Sequence, residues 1–418
     1  MDFGEALAAI REGGSSHESE DAARVICVMA RDGLADSQVA DLARALAESG
    51  ESYCLDGFNP GLLCDVPSTG APGSLSTLIC PMVLAAAGAI VPKVSIPGSV
   101  AGGIDSLQIL SGFRSRLTGD EFVSVLHECG VAHVEVSPRV CPADGALVRE
   151  RRRAGLMACP ELAAASLLSK KLVVPGVKSC FDIRLGMTGN IGNTVPEGRR
   201  AAELFCRIGS ILGIKVSGCL TDNTTSPVSC LGRTESLRLM YRLLNGQPVA
   251  GQDARHLEVC MLLCSEALKL NGHSELDSLE KVSNAVKSGD AFALLEKFLA
   301  CQGFKGDLAN EMRNYDTWWE DSHFEIIAPT AGYWAPPDLM FMKYAFKRWP
   351  QTEDKQQCVG QRGVRYLVEA GSWVEKGTAV VGIAGLERSN FTPDPRWEGA
   401  YSEECLPDQL GFLCAVTQ

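Results

Sequence analysis

The sequence predicts an α/β protein built from a helical domain that is discontinuous in the chain, an α/β domain and a C-terminal α+β segment. Three observations carry that expectation. Strand-like and helix-like patterns alternate from Asp65 to Asp222, the signature of a largely parallel sheet. Amphipathic helical patterns precede that stretch and return within it, at PELAAASLLSKKLV (160–173). After Ile326 the chain turns to Pro, Gly and short β-like pieces.

In order along the chain, VICVMARDGL repeats its apolar residues at helical spacing. DSQVADLARALAESG places Val39, Leu42, Ala43 and Leu46 on one face, with Asp36 or Ser37 to cap it and Gly50 to end it. STGAPGS (68–74) is a glycine-rich loop. PMVLAAAGAIVPKVSI supplies a helix and a short strand, and PGSVAGG (97–103) is a second glycine-rich loop. GDEFVSVLHECG reads as a helix, VAHVEV and KSCFDIRLG as strands, and PEGRRAAELFCRIGSILG as a helix with Pro196 in its first turn. IKVSGCLTD is a further strand, and GVRYLVEAGSWVEKGTAVVGIAG reads as strands joined by tight turns. The expected boundaries are 1–60 with 145–175 for the helical domain, 61–144 with 176–325 for the α/β domain and 326–418 for a β-rich C-terminal domain.

The 418 residues carry 39 basic and 51 acidic side chains, a formal net charge of −12. That balance argues against nucleic acid or an anionic membrane as the main partner and points to small molecules or proteins. Seventeen cysteines, odd in number and scattered, fit a reduced compartment better than a disulfide framework. Cys260 and Cys264 share a helix face and read as core, so no metal site is expected. With no basic leader before an apolar stretch and no apolar run long enough to span a bilayer, the sequence reads as cytoplasmic.

The candidate chemistry lies in the two glycine-rich loops and in one helix. Small residues at strand ends let a phosphate or substrate approach the backbone, yet neither loop contains a Lys or Arg and neither matches a nucleotide-binding fingerprint. Ser166 and Lys170, at i and i+4, point the same way. On their own they read as part of a solvated helix face, with Lys170 and Lys171 keeping it soluble. His127 and His133 read as surface or core.

The order DVPSTG, PMV, VPKVS, GG-x-D, CPADGALVRER, ASLLSKKL, FDIRLG and CLTD resembles the thymidine and pyrimidine nucleoside phosphorylase family over most of the chain. The resemblance implies the nucleoside phosphorylase type II-like fold, with a cleft between the helical and α/β domains. It implies a homodimer paired through the helical domain, where the amphipathic helices offer an apolar face. It places the pyrimidine on Arg151, Ser166 and Lys170, with Arg151 and Lys170 catalytic because they stabilise the charge left on the departing base. Ser68, Thr69, Thr77 and Ser95 fall on or near phosphate contacts. No cofactor is implied beyond phosphate as a co-substrate.

The chain departs from the family where phosphate binds. The family's lysine and histidine in its first loop fall on Val66 and Pro67, and its serine-glycine-arginine loop is shortened to residues 95–104. Lys93 offers a replacement cation. The family's GN-x-x-E becomes Gly232-Arg233-Thr234-Glu235, and its aspartate-valine-lysine strand becomes Asp182-Ile183-Arg184. The reading is therefore pentosyl transfer on pyrimidine nucleosides or nucleotides to an acceptor that need not be phosphate. The alternative is a catalytically silent homologue that binds a pyrimidine or a protein partner. Restoring lysine and histidine at 66 and 67 is expected, on the sequence, to return a cation for phosphate.

Overall fold

The computed structural model describes residues 1–70, 72–187, 191–349, 362–386, 388, 391, 394–404 and 412–417; Ala71 of the first loop lies outside the described residues. Helices Phe3–Gly13, His17–Met29, Asp36–Glu48, Pro142–Arg153 and Pro160–Leu172 pack together as one helical layer. The two later helices rejoin the first three because their buried residues, among them Leu147, Leu162 and Leu168, share a core with Ile10, Ile26, Leu42 and Leu46. The Asp36–Glu48 helix is capped differently from the sequence reading. Ala35 is its N-cap, and the N–H of Ala35 donates to Gln38 Oε1 at 2.9 Å.

Strands Val131–Glu135 and Val91–Ser95 pair in parallel. Backbone hydrogen bonds between Leu62–Cys64 and Ile90 join them to Cys64–Asp65, Lys178–Leu185 and Val216–Asp222, also parallel. The last described strand, Phe412–Thr417, runs antiparallel beside Val216–Asp222. That strand corrects the expectation that everything after 326 forms one C-terminal unit, because its ladder partners lie in the central sheet. Parallel strands buried on both faces need apolar runs. Of the eight residues Lys178–Leu185 seven are buried, and the run is broken by the polar Ser179, Asp182 and Arg184.

One face of the sheet is covered by helix Val195–Leu212, started by a Thr194–Glu197 capping box. A Cβ on Gly198 would fall 2.3 Å from Leu185 Cδ2 and 2.4 Å from Leu220 Cδ2, so glycine permits the close helix–sheet approach. Helices Ser76–Ala86 and Gly251–Leu270 cover the other face, where Cys260 and Cys264 are buried core residues. Four further helices between Arg233 and Ser322 extend this layer. Beyond them, strands His323–Ile327, Gly363–Tyr366 and Ala379–Ala384 form a sheet with Cys230–Leu231, and Gly332–Ala335 pairs with Trp373–Val374 and Ala400–Ser402. No helix among the described residues is long and apolar enough to cross a membrane.

Candidate functional site

Two helices present the base-side residues to one another. Asp144 and Arg151 are seven residues apart, two turns along one face of helix Pro142–Arg153. Ser166 and Lys170 occupy the facing side of helix Pro160–Leu172. Lys170 Nζ donates to Asp144 Oδ2 at 2.5 Å, to Ser166 Oγ at 3.2 Å and to the Ser166 carbonyl. Arg151 donates to the Met157 carbonyl at 2.9 Å, and burial pulls its pKa down, with Asp144 among the charges that oppose the shift. Asp144 Oδ1 is buried without a hydrogen-bond partner, although buried polar atoms are normally satisfied. The solvated-face reading of Lys170 and Lys171 is thus corrected: both are buried, because each meets a carboxylate in the interior.

Lys171 turns the other way and bridges the helical layer to the sheet. Its Nζ lies 2.5 Å from Asp65 Oδ2, and Lys93 Nζ lies 2.7 Å from Asp65 Oδ1 and 2.9 Å from the Val66 carbonyl. Burial alone would raise the Asp65 pKa, but the two ammonium groups outweigh it and hold the carboxylate well below its usual range. Lys93 is therefore committed inside the fold and does not serve as the replacement cation that the sequence suggested. Its neighbour His133, buried and beside Lys93, is pulled down to about 3 and is neutral; its Nε2 lies 2.8 Å from Ser95 Oγ. That contact occupies the Ser95 hydroxyl.

The first glycine-rich loop begins at Asp65 and lies against strand Lys178–Leu185. The Thr69 amide and hydroxyl donate to the Asp182 carbonyl at 3.0 and 3.3 Å, and Thr69 Oγ1 accepts from the Arg184 amide at 3.1 Å. Ser68 Oγ accepts from the Gly70 amide at 3.3 Å. Beneath the loop, Asp182 is a buried hub that accepts from Ser76 Oγ and Thr221 Oγ1, each at 2.6 Å, and from Arg184 Nε at 2.8 Å. Its burial favours the neutral acid, but Arg184 and the two hydroxyls hold it ionised with a lowered pKa. Arg184 also donates to the Gly70 carbonyl at 3.1 Å. His256 Nε2 accepts the Leu75 amide at 2.8 Å, and burial beside Arg184 pulls its pKa to about 4.

Val66 has become core, fully buried in the cluster with Leu63, Cys64 and Val91. A lysine there would carry an ammonium group into that apolar cluster, so the repair expected from sequence is corrected to a destabilising change. Thr77, half-buried in the first turn of helix Ser76–Ala86, faces Gly103, where a Cβ would lie 2.6 Å from Thr77 Oγ1. The second glycine-rich loop therefore packs against the start of the helix that follows the first. The structure brings Arg151, Ser166 and Lys170 onto facing helices and ties them, through Lys171 and Asp65, to the loop bearing Ser68 and Thr69. Sequence reasoning assigned no role to Asp144, Asp65, Asp182 or His256. Asp65 and Asp182 lie inside motifs already singled out, and Asp144 leaves a signal in its spacing of seven from Arg151.

The chain is 26% identical over 302 residues to pyrimidine-nucleoside phosphorylase of Bacillus subtilis (strain 168), a match covering 71% of this chain and 68% of that enzyme. It is 27% identical over 277 residues to pyrimidine-nucleoside phosphorylase of Geobacillus stearothermophilus, covering 65% of this chain and 62% of that enzyme. Over these spans the chain resembles pyrimidine-nucleoside phosphorylases, which supports the family resemblance read from the sequence. No family model matches it. Among solved structures it resembles anthranilate phosphoribosyltransferase (TrpD) from Thermus thermophilus, with a TM-score of 0.56 at 17% identity over 72% of this chain and 96% of that one. The Saccharomyces cerevisiae anthranilate phosphoribosyltransferase in complex with PRPP and Mg gives 0.53 at 14% identity, over 72% and 91%. These likenesses are of fold, and the fold is the nucleoside phosphorylase type II-like one that the family resemblance implied.

Proposed function

We propose that the protein transfers the pentosyl group of a pyrimidine nucleoside or nucleotide. The observation that carries this reading is the pair of facing helices. Lys170 bonds the buried Asp144 and Ser166, Arg151 lies two turns along the same helix from Asp144, and Lys171 and Asp65 lead on to the Ser-Thr-Gly loop. Lys93, Lys170, Lys171 and Arg151 are buried around two carboxylates, Asp65 and Asp144, so positive charge is in excess where a leaving base would collect electrons. As the bond between C1′ and N1 breaks, its electron pair stays on the pyrimidine. An acceptor oxygen bonds to C1′ from the loop side. The unpartnered Asp144 Oδ1 is matched to a ring N–H, which favours a base carrying one at N3.

A second reading, a silent homologue that binds pyrimidine or a protein without turning over, is favoured by two observations. Lys170 directs its ammonium group to three protein acceptors, and the loop position of the family's lysine is now core. The test is incubation of the protein with uridine, thymidine and their 5′-monophosphates, with and without phosphate, while free base is followed by chromatography. Base release supports transfer, and its phosphate dependence names the acceptor. Binding without release supports the silent reading, and no binding of any pyrimidine overturns transfer and the pyrimidine-binding form of the silent reading.

The dimer stands as a further part of this proposal, resting on the family resemblance. The apolar face of Val39, Leu42, Ala43 and Leu46 is covered within the chain itself, which leaves Met1 and Val28 as the exposed large apolar residues of the first two helices. Light scattering across a concentration series decides it.

A further inference from the structure

The family's cations at the acceptor loops are missing here, and Lys93 is committed to Asp65. One arginine nonetheless reaches the second loop from elsewhere. Arg233, which stands where the family has asparagine, begins helix Arg233–Leu244. Its Nε and Nη2 donate to the Ser99 carbonyl at 3.2 and 3.0 Å, and Nη2 lies 3.1 Å from Asp105 Oδ1. Asp105 is hydrogen-bonded from several sides, because its oxygens also accept the Gly98 amide at 2.7 Å and the Ser99 amide at 3.1 Å.

Two features separate Arg233 from the other cations around the site. The side chains of Lys93, Lys170, Lys171 and Arg184 are at most 4% exposed, whereas that of Arg233 is 23% exposed. Its Nη1 has no protein partner among the described residues. The loop it braces ends at Gly103, which packs against Thr77 at the start of helix Ser76–Ala86. The two N–H groups of Nη1 are left to donate charge-assisted hydrogen bonds to phosphate oxygens.

We propose that Arg233 is the cation of the acceptor half, holding a phosphate group against the second loop in place of the cations that this chain has lost. The proposal rests on the pentosyl-transfer reading for its setting. Its chemistry is a phosphate oxyanion, drawn either from inorganic phosphate or from the 5′-phosphate of a nucleotide.

The experiment titrates the full-length protein calorimetrically with inorganic phosphate, with uridine 5′-monophosphate and with uracil, in the parent, Arg233→Asn and Arg233→Lys. The expected result is phosphate or monophosphate affinity at least tenfold weaker in Arg233→Asn, partial recovery in Arg233→Lys and uracil affinity unchanged within twofold. Loss confined to inorganic phosphate identifies it as the acceptor, and loss confined to the monophosphate identifies the 5′-phosphate. Undiminished binding of both in Arg233→Asn overturns the proposal, as does a parent that binds uracil but neither phosphate. If Arg233→Asn does not fold, Arg233→Lys decides: affinity equal to the parent's, or lost only in proportion to a fall in melting temperature, overturns the proposal. A parent that binds phosphate and no pyrimidine refutes the functional reading while leaving the arginine assignment intact.

Discussion

The helical side of the candidate site and the loop side both bury charged side chains, but they balance them differently. On the helical side a short network of Asp144, Lys170 and Ser166 leaves one carboxylate oxygen unsatisfied and Arg151 tied only to carbonyls. On the loop side, Asp182 is bonded by Ser76, Thr221 and Arg184, and Arg184 in turn holds the Gly70 carbonyl. An under-satisfied buried polar network is costly on its own and gains when a ligand completes it; a satisfied one fixes a shape. On the proposed function, recognition of the base falls to the helical side, and the buried part of the loop side supplies rigidity. The same division explains why the family's cation can be absent at Val66 without collapse of the loop.

The largest effect is expected on the helical side. Lys170→Ala leaves Asp144 buried with no cation, and breaking one partner of a buried pair costs roughly 3–5 kcal/mol. The double variant Lys170→Met with Asp144→Asn removes both charges and should recover most of that stability while still binding pyrimidine at least tenfold more weakly than the parent. Chemical denaturation and calorimetry measure the two quantities separately. If the double variant is stable and binds uracil as the parent does, the helical side is structural and the contrast between the two sides fails.

Much of this division is legible in the sequence, for identifiable reasons. The strands, the helix Val195–Leu212 and the return of Pro160–Leu172 to the helical layer follow from hydrophobic period and caps, which are local properties. The ion network is not legible. Lys171 looks like a solubilising neighbour of Lys170, and only the tertiary fold places its ammonium group beside Asp65, 106 residues away. The strand Phe412–Thr417 escapes a sequence reading for the same reason, since its partner, Val216–Asp222, lies far earlier in the chain. Val66 reads as a lost ligand, and its place in the core follows from packing that no motif reports.

The next effect belongs to the loop side, where two neutral histidines are buried. His256 has a folded pKa of about 4 against an ordinary value of 6.5. Between those values the unfolded chain takes up a proton that the folded protein refuses. Stability should therefore be full above about pH 6.5, fall as the pH drops towards 4 and level off below it, by about 3 kcal/mol for this residue at roughly 1.36 kcal/mol per pKa unit. His133, depressed to about 3, adds to the same slope. His256→Gln keeps an acceptor for the Leu75 amide and should flatten the profile between pH 6.5 and 4, measured by denaturant titration at several pH values. An unchanged slope in that variant would mean that the loop side does not hold a neutral imidazole there.

The smallest effect is expected at Ser68, and it tests the asymmetry most finely. Its hydroxyl is half-buried and accepts one bond, from the Gly70 amide at 3.3 Å. A neutral hydrogen bond of this kind contributes about 0.5–1.5 kcal/mol, and water can replace it at a half-exposed position. Ser68→Ala should therefore weaken binding of a phosphate group by roughly two- to tenfold on the same scale and leave uracil affinity unchanged. Calorimetry with inorganic phosphate, uridine 5′-monophosphate and uracil reads both sides in one variant. A loss of a hundredfold or more would mean that Ser68 is itself a principal anion ligand and that the loop recognises as well as shapes. A parallel loss of uracil affinity would mean that the two sides are coupled, and the route available for that coupling is Asp65, three residues before Ser68 and bonded to Lys171 beside Lys170.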